Sequence, residues 1–392
     1  MNITLGAYLL SGTPGYRQAG IHQYIKALIE ALAVRPEVLS GKVKLTALIS
    51  PTARQELSLP SPRLGSNAQA AVSVVPSSRD TESPITRLLV EQMETSQLLR
   101  AQHADVYHGM AFVTPLNASC PTVVTVHDLS FITRPQTHKL LNRTYLSILT
   151  LLSCQRAARI IAVSEWTKRD VVKYLRIPAS RIDVIPHGVH PRFRPLPAEN
   201  VYAFRSANDI STSSIFFLGS LEPRKNLPAL IEALNVVLRS VPSAKLYVGG
   251  SPGWKYEPIY KRITELGLKD KVHFIGQIAQ DNLALWYNAC GVFAYPSLYE
   301  GFGMPVLEAM ACGAAVVTSN ATSLPEVVGD AGIMVSPNDI AGMAEGIVGL
   351  LTNRSMRAMI GTGALRRAAR FTWDRTAGMT LESYHKSLQK TP

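Results

Sequence analysis

Long apolar runs are missing from this 392-residue chain; none approaches the ~18 to 20 residues that a membrane-spanning helix needs. The start, MNITLGAYLLSGTPGY, has no basic segment ahead of its apolar one, so no signal peptide is expected and the protein is placed in the cytoplasm. Cysteine is scarce. Cys120, Cys154, Cys290 and Cys312 lie far apart with no C-x-x-C pair, which excludes a zinc-ligand pattern and a disulfide framework and leaves reduced core residues. Aromatic residues are only 7%, too few for a base-stacking series, and no nucleic-acid reading module is recognisable, so no nucleic-acid partner is expected. No G-x-G-x-x-G follows the first strand and no G-x-x-x-x-G-K-[ST] occurs, which disfavours NAD-linked chemistry and P-loop hydrolysis. No Asp-x-Asp pair or histidine cluster offers a metal site, so neither metal nor cofactor is expected.

What remains is a globular composition, 46% hydrophobic and 17% charged, long enough for two or three domains. The net charge of +12 is uneven: residues 1–195 carry 22 Lys and Arg against 12 Asp and Glu, the rest 18 against 16. A basic first half suggests an acidic partner, whether nucleic acid, anionic lipid headgroups or a phosphorylated substrate, with a merely solvated basic surface as the alternative.

The chain reads as two successive α/β series. NITLGAYLL is a strand candidate, and SGTPGYRQAG is a loop ending where Ile21, Tyr24, Ile25, Leu28, Ile29 and Leu32 mark one helix face. Further strands are expected at VKLTALIS, DVYHG, TVVTVHD, RIIAVS and IDVIPHGV. Residues 51–80 read as a long mobile loop, followed by a helix in SPITRLLVEQMETSQLL. The Pro-rich HPRFRPLPAEN breaks the pattern, and SIFFLGS, KLYVGG, KVHFIG, GVFAYPS, AAVVTS and GIMVS form the second series. Continuous apolar strands suit parallel sheets covered on both faces. The expected division is residues 1–195, residues 196–370 and a terminal helix over 371–392, whose Leu381, Tyr384 and Leu388 form one apolar face.

The most informative stretch is YPSLYEGFGMPVLEAMACG, residues 295–313. A strand ends at a proline, a glycine loop follows, and a helix opens at Pro305, a residue type favoured at a helix start. Gly301 and Gly303 allow backbone to approach a ligand, and the free N–H groups of a helix start suit phosphate. Taken alone, Glu300 reads as a solvated loop carboxylate and Glu308, in the first turn, as a complement to the helix dipole; ionised, both could accept from ligand hydroxyls. Arg224 and Lys225, in EPRKN beyond SIFFLGS, suit a diphosphate, with a solvated turn as the alternative. His127 and Asp128 end the strand TVVTVHD; His187 ends IDVIPHGV and reads equally well as structural.

Taken together, these motifs resemble the retaining glycosyltransferase family four, whose E-x7-E motif is matched by Glu300 and Glu308. AGIHQYIKAL looks like that family's first loop and helix, VHD like its His-Asp pair, VIPHGV like the end of its first domain, and FLGSLEPRKN like its diphosphate site. The resemblance implies a GT-B fold, two Rossmann-like domains facing across a cleft, with the C-terminal helix returning to the first domain. It implies that Glu308 binds the ribose hydroxyls, and that Glu300 and His127 reach the donor sugar. Gly20, Gly276, Gly301, Phe302, Gly303, Met304, Pro305, Val306 and Leu307 line the donor, and Asp128 orients the acceptor or its loop. Many family members carry an arginine directly after the strand glycine; Ser220 stands there in this chain, leaving that work to Arg224. The expectation is metal-independent, retaining transfer of a hexose, mannose from GDP-mannose in the first instance and a UDP-sugar in the second. The acceptor is a glycan or a lipid-linked one, in polysaccharide or lipopolysaccharide assembly at the membrane surface. A GT-B epimerase or phosphorylase is the alternative enzyme, and a basic nucleic-acid-binding protein the alternative from another class.

Overall fold

The computed structural model describes residues 1–12, 20–59, 72–135, 140–253 and 255–389. Among them the chain divides into two compact units, one of residues 1–188 with 372–392 and one of residues 189–371.

The first unit is a seven-stranded parallel sheet. It holds β1 (Asn2–Ala7), β2 (Lys44–Ile49), β3 (Val72–Pro76), β4 (Val106–Gly109), β5 (Thr122–Val126), β6 (Arg159–Ala162) and β7 (Ile182–Val184), in the order β3-β2-β1-β4-β5-β6-β7. The second unit is a six-stranded parallel sheet of β8 (Ser214–Leu218), β9 (Lys245–Gly249), β10 (Val272–Gly276), β11 (Val292–Tyr295), β12 (Val316–Ser319) and β13 (Ile333–Val335), ordered β10-β9-β8-β11-β12-β13. Every strand of β5, β11 and β12 is buried along its full length, as a sheet clad by helices on both faces requires. Both sheets reverse their strand order once, beside β1 and β4 in one unit and β8 and β11 in the other. Ligands of such sheets bind beyond the carboxyl ends at that reversal.

Two local expectations are corrected. Residues 51–80 do not form one loop: Pro51–Glu56 is a 3-10 helix, and Val72–Pro76 pairs with β2 in register from Leu45↔Val72 to Ile49↔Pro76. As an edge strand it tolerates the terminal proline that made VSVVP look like loop. The helix expected over residues 83–99 forms, with a π-helical turn at Val90–Glu94 in its middle. In the terminal helix, Trp373–Leu388, the apolar face is Trp373, Ala377, Leu381 and Tyr384, whereas Leu388 is exposed.

The division falls at 188/189, where the sequence reading put it at 195/196. Residues 189–196 bond within the second unit: the Val189 N–H donates to Phe371 O, the Leu196 N–H to Asn288 Oδ1, and Asn288 Nδ2 to Arg194 O.

The terminal helix belongs to the first unit. Asp183 accepts from Arg159 Nη2 at 2.6 Å, Ser383 Oγ at 2.8 Å and Lys386 Nζ at 3.0 Å, and His108 Nδ1 lies 2.7 Å from the Tyr384 hydroxyl. Asp183→Ala leaves the largely buried Arg159 without its carboxylate, and a loss of about 3 kcal/mol is expected in urea unfolding at pH 7. A loss below about 1 kcal/mol, the range of exposed pairs, would show that apolar packing alone holds this helix.

Candidate active site

The reversal in the second sheet brings two loops together. The loop after β8 carries Glu222, Arg224 and Lys225; the loop after β11 carries Ser297, Glu300 and the glycines. Asn226 joins them. It adopts the left-handed conformation at φ 56°, one that asparagine tolerates, and its amide donates to Pro296 O and Pro337 O.

Glu300 lies at the centre. Its Oε2 accepts from Arg224 Nη1 at 2.9 Å, and its Oε1 accepts from Lys225 Nζ at 2.7 Å, Tyr295 OH at 3.0 Å and Ser297 Oγ at 2.6 Å. Arg224 also donates to Tyr299 O and, through Nη2, to Glu222 Oε1 at 2.7 Å. Burial by itself would raise the Glu300 carboxyl. Arg224 and Lys225, with the bonds from Lys225 and Ser297, outweigh it and hold the carboxyl near 2. Glu300 is therefore a permanent anion, unable to supply a proton. Lys225 is pulled the other way: burial and then the neighbouring Arg224 charge lower its pKa, against the pull of Glu300 and Glu222. The solvated-turn reading of Lys225 is overturned, since the residue is only 8% exposed.

The helix beyond the glycine loop runs Met304–Ala311, so Pro305 is its second residue and Glu308 its fifth, one residue deeper than the sequence suggested. Gly303 holds φ 108°, and a Cβ there would strike Leu324. Ser323 Oγ donates to the carbonyls of Glu300 and Phe302, and Thr322 Oγ1 accepts from the Glu300 N–H, pinning the loop from outside. Val306 and Leu307 point into the core at 0% and 1% exposure, so any donor contact from them is through backbone. Glu308 does not join the cation cluster: its Oε2 accepts from Tyr287 OH at 2.9 Å. With Tyr287 and the charge of Arg192 opposing it more weakly, burial raises this carboxyl to about 7. Gly276, ending β10, has φ 68° and open space about it.

In the first unit, His127 is buried and its Nε2–H donates to Met110 O at 3.0 Å. Burial lowers its pKa to about 4 despite that bond and Asp128. The neutral ring thus keeps its proton on Nε2 and leaves Nδ1 as an acceptor. Tyr24 and Phe112 meet the ring edge-on at 4.7 and 5.6 Å. Asp128 Oδ1 accepts from the Ser130 N–H two residues on, which makes it an organiser of its own loop. His187 is packed between Tyr24 and Trp373. Gly20 opens the helix Gly20–Ala33, and among the described residues no neighbour lies within 4 Å of a Cβ placed there. Residues 13–19 of the expected first glycine loop lie outside the described residues.

Tyr295, Ser297 and Tyr287 were not foreseen. Tyr295 and Ser297 had a signal, a hydroxyl on either side of Pro296 just ahead of Glu300; Tyr287, on a helix remote in sequence, had none. Among the described residues no group of three or more His, Cys, Asp and Glu side chains is disposed to hold a metal.

Residues 20–193 match the model for Glycosyltransferase Family 4 and residues 203–367 that for Glycosyl transferases group 1. The O-antigen chain mannosyltransferase B of Escherichia coli is 31% identical over 281 residues, 71% of this chain and 74% of that protein. This chain belongs to glycosyltransferase family 4. The serotype-specific mannosyltransferase WbdA of Escherichia coli is 32% identical over 62% of this chain, and the match spans only 30% of WbdA. Among solved structures, a sucrose-phosphate synthase from Thermosynechococcus elongatus aligns with TM-score 0.76 at 20% identity, over 98% of each chain. Anabaena HepE in complex with UDP-glucose aligns with TM-score 0.72 at 20% identity, over 98% of this chain and all of that one. These likenesses establish the two-domain α/β GT-B fold.

The two family carboxylates have opposite linkage to stability. Glu300, lowered to about 2, adds stability that is present above the ordinary pKa of about 4.3 and is lost as pH falls. Glu308, raised to about 7, adds stability present below about 4.3 and lost as pH rises through 7. Urea titrations of the unliganded protein from pH 4 to 8 should show Glu308→Gln flattening the decline toward pH 8 and Glu300→Gln leaving it in place. Equal behaviour of the two variants would contradict these environments.

Proposed function

We propose that this glycosyltransferase moves mannose, with retention, from GDP-mannose to a glycan or lipid-linked acceptor in cell-surface polysaccharide assembly. The observation that carries the reading is the pair of cations, Arg224 and Lys225, anchored by Glu300 at the sheet reversal. The named activities of the two Escherichia coli relatives support mannose and O-antigen. A UDP-hexose is the second reading, favoured by the UDP-glucose complex of the Anabaena neighbour.

In this reading Arg224, Lys225 and the backbone from Gly301 through Met304 to the helix at Pro305 hold the diphosphate, with Phe302 in the loop. Glu308 takes the ribose hydroxyls, and the backbone near Gly276 meets the base. In the second unit Glu300 accepts from sugar hydroxyls; in the first, His127 offers Nδ1 as an acceptor, Gly20 leaves room for substrate and Asp128 shapes the acceptor side. Since Glu300 stays ionised, the proton has another destination. As the bond from the anomeric carbon to the phosphate oxygen breaks, the acceptor oxygen bonds to that carbon from the same face and passes its proton to the departing phosphate. The growing phosphate charge is stabilised by fixed cations already in place, so no metal is needed.

Thermal shift against GDP- and UDP-sugars identifies the donor, since a ligand at about 100 times its Kd adds roughly 2.7 kcal/mol. With that donor, Lys225→Met should lower turnover about a hundredfold, more than it weakens donor binding, and EDTA should leave turnover unchanged. Near-normal turnover of the variant, or loss in EDTA restored by magnesium, would overturn this reading of the site.

We also propose that the enzyme works against an anionic membrane on the cytoplasmic side. No described helix is long and apolar enough to cross a bilayer, but Ile85, Leu89 and Met93 recur at four-residue steps and are 73%, 39% and 63% exposed. They belong to the half of the chain that carries the basic surplus. Cosedimentation with phosphatidylglycerol vesicles is expected at low salt and release in molar salt, as electrostatic anchoring at about 1 kcal/mol per cation requires. Absence of low-salt binding would refute it.

A further inference from the structure

A lysine ammonium has three N–H donors. Two of those on Lys225 are spent inside the protein, one on Glu300 Oε1 at 2.7 Å and one on the Tyr295 hydroxyl at 2.6 Å. Among the described residues no acceptor meets the third. The Tyr295 hydroxyl has only one way to satisfy both its neighbours: its lone pair accepts from Lys225 and its proton goes to Glu300 Oε1 at 3.0 Å. Burial, then the Glu300 charge, raises the phenol well above its ordinary pKa, so this O–H keeps its proton throughout the working range. The ring itself cannot swing. It is fully buried at the end of β11, stacked 6.0 Å from Phe217 of β8 and 5.9 Å from Phe293 of its own strand.

A tetrahedral ammonium held at two of its three hydrogens has one direction left for the third. Glu300 alone would leave Lys225 free to rotate about a single contact; the tyrosine oxygen supplies the second fixed point. We propose that Tyr295 is a positioning residue for transfer, its hydroxyl orienting the remaining N–H of Lys225 toward the donor's phosphate oxygens. The chemistry served is that of a nucleoside diphosphate sugar, and the proposal rests on the reading that Lys225 holds the diphosphate. Tyr295 touches neither substrate nor the reacting atoms in this account. Its effect passes wholly through the lysine.

That dependence is the test. Wild type, Y295F, K225M and Y295F/K225M are compared in steady-state kinetics with the donor found by thermal shift, and each is checked for melting temperature. Y295F keeps the ring and its stacking and removes the hydroxyl. The expected result is a fall in kcat of about tenfold, the scale of a modest misplacement of a catalytic group, with the donor KM little changed. In the K225M background the same substitution should cost less than about twofold, because the group it positions is gone. Full turnover by Y295F beside an impaired K225M would overturn the role of Tyr295 and leave the diphosphate site standing. An undiminished loss from Y295F in the K225M background would also overturn it, placing the effect in Glu300 or in packing. Near-normal turnover by K225M is a different failure, that of the diphosphate reading itself. Should Y295F alone not fold, with Lys225 left short of an acceptor, the comparison of the double variant with K225M still decides between these outcomes.

Discussion

A buried carboxylate between two cations organises the second unit of this enzyme. Glu300 is 7% exposed, and in such a place an unpaired charge costs several kcal/mol. Four donors on separate residues offset that cost: Arg224, Lys225, Tyr295 and Ser297. Two come from the loop after β8 and two from the end of β11 and its loop, so satisfying one carboxylate fixes both edges of the sheet reversal. The cluster lies at the strand reversal, where a doubly wound sheet receives its ligand beyond the carboxyl ends of its strands.

The two glutamates of the E-x7-E motif look equivalent in sequence, but the fold gives them different characters. Glu300 is surrounded by donors and stays ionised; Glu308 has one tyrosine hydroxyl and a largely apolar setting, which leaves it poised near neutrality. The difference follows from what reaches each site, two hydrogen-bonded cations in one case and the hydroxyl of Tyr287 with the weaker pull of Arg192 in the other. A carboxylate near its titration point gains most from ligand hydroxyls that favour its ionised form. One that is already ionised and clamped serves better as a fixed anchor.

Much of the architecture was legible because parallel strands buried on both faces read as short, continuous apolar runs. SIFFLGS, KLYVGG and AAVVTS could be recognised without any alternation. VSVVP could not, since an edge strand of five residues ending in proline looks like its flanking loop. At the site, Glu300, Glu308, Arg224 and Lys225 were visible as residues. Their mutual contacts were not, because 75 positions separate Lys225 from Glu300 and only the topology brings β8 beside β11. The same holds for burial: a lysine in a turn sequence reads as solvated, and it took the position of Tyr295 beneath it to show otherwise. Tyr287, on the helix Gln280–Ala289, is reached through packing that no local pattern announces.

The central claim, that Arg224 and Lys225 form a diphosphate site anchored by Glu300, is tested most directly by comparing nucleoside diphosphate and monophosphate affinities in wild type and in R224M/K225M. Calorimetric titration with GDP, GMP, UDP and UMP gives the ratio for each base. The account predicts a marked preference for the diphosphate in wild type that collapses in the double variant, while monophosphate affinity, carried by ribose and base, changes little. A diphosphate preference that survives loss of both cations would contradict it.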